Sequence, residues 1–279
     1  MAPASSGRDR TAAATVAGEM YRFLLRPKWI GFHLLVVAGI VAMVNLGLWQ
    51  LRRLDARRDF NSRVETRSAL PPEPLDDVLA SGPPEAIEWR VATAAGSYLH
   101  REQLVLVNRS QFGRAGQDVV TPMELADGRI LIVNRGFTPL DAEAPPAPDG
   151  VVTITGRIRL SQERRTGQLS DPARGDLTEV QRIDVPRLSA QLPGDVVPVY
   201  VDLIASEPAE AEGLPAPVPR PPLGEGPHLS YAIQWFIFSA CAVVGWFLAV
   251  RRSALSAAGR RARPGSRVPV VDEAPTAPR

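Results

Sequence analysis

The chain has 279 residues, 45% hydrophobic and 22% charged, with a formal net charge of +2. That length holds one or two domains with a sizeable core. A single cysteine, Cys241, excludes an internal disulfide, a Cys-x-x-Cys redox pair, a structural zinc site and a thiolate copper site.

Residues 1–28 read as a basic tail, net +3. Residues 29–50 then run without Asp, Glu, Lys or Arg, broken only by His33, Asn45 and the terminal Gln50; residues 228–250 repeat the pattern. Each run is about 20 residues, roughly 30 Å as a helix, which matches the apolar thickness of a bilayer. Trp29 and Trp49 bound the first run, and Tyr231, Trp235 and Trp246 mark the ends of the second, where interfacial aromatics belong. No small-x-small cleavage pattern follows the first run, so it reads as an uncleaved anchor. The 177 residues between the runs carry net −6, and residues 251–279 carry net +5. The charge distribution therefore places both tails in the cytoplasm and the acidic middle outside, against the local pull of Arg52, Arg53, Arg57 and Arg58. The positive excess belongs to these anchors and not to nucleic-acid binding.

The first helix is expected to continue through Arg67, until Pro71, Pro72 and Pro74 stop it. A short helix is expected over 75–80. Strands are expected over 89–94, 103–108, 118–123, 129–134, 151–158 and 196–203, with a hairpin at Ala126-Asp127-Gly128. Asp184 is placed to cap a short helix running through Leu192, with Pro186 in its first turn. Residues 141–150 read as a Pro/Ala turn, and residues 206–227, with seven prolines, as an extended connection. Residues 1–19 and those from about 254 onward read as disordered tails. The resulting fold class is a membrane α+β protein: two transmembrane helices, 29–50 and 228–250, flank a mostly antiparallel β-rich extracytoplasmic domain over 51–205.

No Gly-rich phosphate loop, Gly-x-Ser-x-Gly elbow or His-Glu-x-x-His pair occurs, and the three histidines fall in three environments, so the chain is not expected to be an enzyme. Antiparallel spans put His33 near the cytoplasmic surface and His228 at the outer one. The groups at the depth of His228 are Trp49, Gln50, Arg52 and Arg53 from the first helix and Tyr231, Gln234 and Trp235 from the second. His228, Tyr231 and Trp235 follow one helix face. An imidazole, aromatic walls and an arginine pair at a lipid boundary suit a haem, with iron to imidazole and propionates to arginine. The same residues suit an ordinary interfacial belt facing lipid, and on the residues alone the belt is the simpler reading. His100 and Cys241 have no assignable role.

Gly47-Leu48-Trp49-Gln50-Leu51-Arg52-Arg53 resembles the Gly-x-Trp-Gln-x-x-Arg signature of the Surfeit locus protein 1 family, which is associated with cytochrome c oxidase assembly. His228-Leu229-Ser230-Tyr231-Ala232-Ile233-Gln234-Trp235-Phe236 resembles the opening of that family's second span. Val133-Asn134-Arg135-Gly136-Phe137, Val120-Thr121-Pro122 and Gly156-Arg157-Ile158-Arg159-Leu160 fall in the family's order between them. The resemblance covers roughly residues 25 to 252. It implies a plasma-membrane assembly factor for cytochrome c oxidase that aids delivery of haem a to the catalytic subunit. The implied partners are that subunit, the haem a synthesis machinery and membrane lipid; the alternative is a scaffold that never touches haem. It also implies that His228 is the haem-associated histidine, a possible iron ligand, with Trp49, Gln50, Arg52, Tyr231 and Trp235 at the other signature positions. Gly226-Pro227 departs from the Asn that many relatives carry there, so a hydrogen bond supplied by that Asn is missing. Val-Asn-Arg occurs twice, at 107–109 and 133–135. Arg109 and Arg135 are either a paired docking surface or strand-end turn residues, and the latter is favoured.

Overall fold

The structure is a computed structural model that describes residues 22–261; the tails expected at 1–19 and beyond 261 lie outside the described residues. The chain divides into two compact units, residues up to 57 with those from 225 onward, and residues 58–224.

The first unit is built on two long helices, α1 (Pro27–Ser68) and α5 (His228–Arg261). Pro27 begins α1, where its missing N–H costs nothing, and the Arg26 carbonyl accepts from Trp29 N and Ile30 N. The segment after Gln50 is rich in Leu, Arg and Ala, all good helix formers, so α1 runs on to Ser68 as expected. The second helix does not end near residue 254: Ala254, Ala257 and Ala258 carry it to Arg261, where the sequence had read as disordered. Only 6% of the most apolar 18-residue stretch of each helix is buried within the chain, although both are long and apolar enough to cross a membrane. A helix in the core of a soluble protein would be covered.

The helices contact each other at both ends of the apolar stretch. Trp246 Nε1 donates to His33 Nδ1 at 2.9 Å, and near the other end a Cβ placed on Gly47 would stand 2.8 Å from Phe236 Cζ. These pairs make α1 and α5 antiparallel. Polar interruptions are satisfied locally: Asn45 Nδ2 donates to Val41 O and Ser239 Oγ to Trp235 O. In an apolar surround an unpaired polar group costs several kcal/mol, on the order of 2–7, so this pairing is what lets those residues sit there.

The second unit is an eight-stranded sheet in the order β1-β2-β6-β8-β5-β4-β3-β7. The strands are β1 (Glu73–Pro74), β2 (Val91–Tyr98), β3 (Leu104–Gln111), β4 (Arg114–Leu125), β5 (Ile130–Pro139), β6 (Val151–Leu160), β7 (Glu179–Val180) and β8 (Val196–Glu207). Twelve residues make β4 long enough to divide one edge. Residues 114–120 pair with β3, and 123–125 pair with β2. The second pairing closes β2, β6, β8, β5 and β4 into a ring. Its interior is filled by Met123, Leu131, Val133, Val152, Ile154, Ile158, Val199 and Val201, all at 0–1% exposure. The short helix α2 (Leu75–Ala80) adds Leu75 and Val78 to that core. A second cluster, with Leu106, Val120, Ile132, Ile183, Leu188 and Tyr200, lies on the other face. It includes α4 (Val185–Ser189), whose Asp184 cap accepts from Arg187 N at 3.0 Å. A further turn of helix, α3 (Pro84–Ile87), precedes β2.

Three further sequence readings are corrected. The sheet is mixed, not mostly antiparallel: β5–β8, β1–β2 and β3–β7 run parallel. Alternation fixes which face a side chain takes but not the direction of the neighbouring strand. Ile130 to Pro139 is buried on both faces, the condition of a central strand with a parallel neighbour. The strand expected over 89–94 begins at Val91, because Trp89 has a φ of +76° and cannot extend it. Finally, the connection over 206–227 is not a free spacer. Residues 206–207 complete β8, and Ala216 and Phe137 exchange two backbone hydrogen bonds, at 2.7 and 2.8 Å. Gly136, at φ +132°, permits this approach, since a Cβ there would collide with the Ala216 carbonyl.

Candidate functional site

Pro227 supplies the first carbonyl of α5, accepting from Tyr231 N at 3.1 Å and Ser230 Oγ at 2.8 Å. Gly226, in a left-handed conformation at φ +71°, turns the chain into it. His228 is thereby fixed as the first helical residue. Its Nδ1 lies 2.9 Å from Gln50 Oε1 on α1. An amide oxygen only accepts, so with this partner Nδ1 is the donor, and in the neutral ring the lone pair is left on Nε2. A Cβ at position 226 would stand 3.6 Å from Nε2, so glycine keeps that side of the ring open. Gly226-Pro227 thus gives a firm helix start and a clear ring face, while Gln50 hydrogen-bonds the imidazole.

Of the residues singled out from the sequence, His228 and Gln50 are joined directly. Trp49 and Tyr231 expose 47% and 48% of their surface. Trp235 is half-buried and packs edge-on against Phe238, their ring centroids 6.1 Å apart. Arg52 and Arg53 are exposed, without an ion-pair partner among the described residues. These five share the end of the helix pair with His228 through helix geometry, and among the described residues only Gln50 hydrogen-bonds its ring. His33 lies at the other end with Trp246. Among the described residues, no group of three or more His, Cys, Asp and Glu side chains is arranged to hold a bare metal ion. His228 therefore offers a single ligand, which fits an iron whose equatorial ligands come from its own macrocycle.

The repeated Val-Asn-Arg resolves into two β-bulges, not strand ends. Pairing of β3 with β4 slips across Val107–Asn108, where Asn108 has φ +60°, and β4–β5 pairing skips Arg135. A bulge re-aims the side chain that follows or occupies it. Arg135 points inward: its side chain has 0% exposure and grips Glu210 of the proline-rich connection through Nε (3.1 Å) and a terminal nitrogen (2.5 Å). An arginine so placed presents nothing to a partner, which removes the paired docking surface. Arg109 takes the other direction and bonds Asp118 Oδ2 at 3.1 Å.

A polar network missed in the sequence crosses the sheet from there. Asn134 Nδ2 donates to Asp118 Oδ2 (3.4 Å) and Asp202 Oδ1 (3.1 Å), and Arg159 donates to Asp202 Oδ2 at 3.3 Å. Each of the five adjacent strands β3, β4, β5, β8 and β6 contributes one residue. Burial raises the carboxyls of Asp118 and Asp202 above the ordinary range, with Arg109 and Arg159 respectively pulling back. The available signal was Arg157 and Arg159 two apart in a strand, an alternation that puts two guanidiniums on one sheet face.

The SURF1 family model matches residues 37–240. The chain is similar to a SURF1-like protein of Mycobacterium bovis, 32% identical over 233 residues that cover 80% of this chain and 83% of that protein. A SURF1-like protein of Monosiga brevicollis is 29% identical over 257 residues, covering 85% and 94%. A shorter match, 30% over 101 residues, covering 36% of this chain and 26% of the other, is to the cytochrome oxidase assembly protein SHY1 of Saccharomyces cerevisiae. With the match running from the first apolar helix through the whole β unit into the second, the chain belongs to the SURF1 family.

Proposed function

We propose that this chain is a two-span membrane protein serving cytochrome oxidase assembly, and that the His228 end of its helix pair holds haem a on the way to the oxidase catalytic subunit. The observation that carries the haem reading is the His228–Gln50 hydrogen bond, because it leaves Nε2 as a ready iron ligand. The exposed Arg52 and Arg53 serve the propionates, and Trp49, Tyr231 and Trp235 line the macrocycle. One imidazole without a second strong ligand suits a carrier, since a cofactor held on both sides is slow to leave. The oxidase role is supported by the SURF1 family match and the named role of the yeast relative. Both tails are cytoplasmic, in the plasma membrane of the cell, and the β unit faces the outer compartment, where it meets the oxidase subunit and the haem a synthesis machinery.

The test is haem absorbance of the detergent-solubilised chain purified from haem-a-producing cells. Wild type carries haem, His228→Ala loses it, and Gln50→Ala, which frees the ring to rotate, retains it with affinity lowered roughly 10–100-fold. Equal, negligible absorbance in wild type and His228→Ala overturns the carrier and leaves the scaffold. In that case His228→Ala keeps oxidase assembly, while replacing the β unit abolishes it.

A further inference from the structure

A cavity of about 410 Å³ opens in the β unit, within the range of roughly 300–1,000 Å³ typical of small-molecule sites. The two arginines that end the polar network, Arg109 and Arg159, both line it, as does Arg220 from the proline-rich connection. Arg109 uses only Nε on Asp118, and its two terminal nitrogens have no partner among the described residues. Arg220 is exposed and has no carboxylate within ion-pair distance among the described residues. Arg159 Nε is buried and has no hydrogen-bond partner, its nearest acceptor being Glu88 Oε1, an ion pair at 3.6 Å that is too long for a hydrogen bond. A buried donor left so costs stability unless an acceptor arrives.

The apolar wall is equally specific. The Trp89 ring is held 3.9 Å under the Arg159 guanidinium and edge-on to Phe60, at 5.8 Å between centroids. Its backbone sits at φ +76°, a conformation unfavourable for a bulky residue. It is fixed there by Trp89 N donating to Ile158 O (2.9 Å) and Ser68 Oγ donating to Trp89 O (3.2 Å). Such strain persists where surroundings over-determine it, and it gathers at ligand sites. Glu88 and Asp118 are the acidic lining residues, against three arginines, so the cavity carries one positive charge in excess.

We infer that this cavity binds a small organic monoanion, a carboxylate on a flat apolar body, with the carboxylate on Arg109 and Arg220 and the body against Trp89. A guanidinium matches a carboxylate two bonds at a time. One excess positive charge balances a monoanion, whereas a phosphate monoester would leave the site negative. Binding also joins the connection over 218–222 to the sheet, so occupancy would hold that segment in place.

The experiment is calorimetric titration of the full-length chain in detergent with 2-naphthoate, using 2-naphthalenemethanol as the neutral analogue and inorganic phosphate as the anion without a body. The expected result is saturation at one 2-naphthoate per chain and at least tenfold weaker binding of both controls. Arg109→Gln and Arg220→Gln each weaken 2-naphthoate at least tenfold, and Arg114→Gln, exposed and paired with Asp141 outside the cavity, leaves it unchanged. Arg220 lies exposed on the connection, so its variant separates loss of binding from loss of folding. Equal binding of the neutral analogue or of phosphate, or wild-type affinity in both arginine variants, overturns the proposal. None of these readouts depends on haem.

Discussion

In the helix pair, polar side chains are few, and those that are paired find their partner within one turn or directly across the other helix: Asn45 on Val41 O, Ser239 on Trp235 O, His33 with Trp246, His228 with Gln50. In the β unit they are many and linked, Arg109 to Asp118 to Asn134 to Asp202 to Arg159 across five strands. A helix satisfies its own backbone and needs side-chain bonds only where a polar residue interrupts an apolar face. A sheet with layers on both faces must bury whatever its strands carry. Single substitutions should therefore act locally in the helices and over a distance in the sheet.

The largest effect is expected at the ion pair of Arg135 and Glu210. Glu210→Ala leaves a guanidinium with 0% exposure without its counter-charge, which costs about 3–5 kcal/mol. Thermal unfolding followed by circular dichroism should show a midpoint lower by roughly 10 °C or more for a unit of this size. The double change to apolar residues, Arg135→Met with Glu210→Leu, should recover most of it, because no charge is then left unpaired. A midpoint within a degree or two of wild type in Glu210→Ala would show that the connection does not hold the sheet.

A smaller, local effect is expected between the helices. Gly47→Val puts a branched side chain where even a Cβ would lie 2.8 Å from Phe236, an overpacking that costs about 1–3 kcal/mol. Phe236→Ala should rescue it in the double variant, and a cysteine cross-link between the helix ends reports whether their pairing is lost. An additive outcome would break the claim that the glycine is there for this contact.

This contrast also governs what the sequence disclosed. Helix α1 to its end near Arg67, the 75–80 helix, the Asp127 hairpin and the Asp184 cap were legible, because charge-free length, proline stops and cap residues act through nearest neighbours. The His228 and Gln50 pairing was approachable, since two motifs had to meet at one depth. What stayed hidden depends on strand order. Nothing local in Ile130 to Val133 says that β8 will lie beside it in parallel, and nothing in Asn134 says that it will stand between two aspartates. The two Val-Asn-Arg repeats looked like strand ends, because a bulge keeps the strand going after a residue that usually stops one. Trp89 gave no sign of its positive φ, which is imposed by Ile158, Ser68 and Phe60 from distant positions.

The smallest expected effect is a slope rather than a shift. Burial raises the Asp202 carboxyl above its ordinary value despite Arg159 and Arg157 nearby, and raises Asp118 likewise. A carboxyl with a raised value in the fold binds its proton more tightly there than in the unfolded chain. Its contribution to stability is thus complete below the ordinary carboxylate value of about 4 and is lost as pH rises through the raised one. Asp202→Asn keeps an acceptor for Asn134 while removing one of these titrations. The attraction of Arg159 for the ionised carboxylate is already contained in the net upward shift, so the variant's unfolding midpoint should change less between pH 4 and 7 than that of wild type. The difference, variant minus wild type, should grow more positive as pH rises. A difference that is flat, or falls over that range, would mean that the network holds Asp202 charged at no cost, and that the sheet solves its polar burial as locally as the helices do.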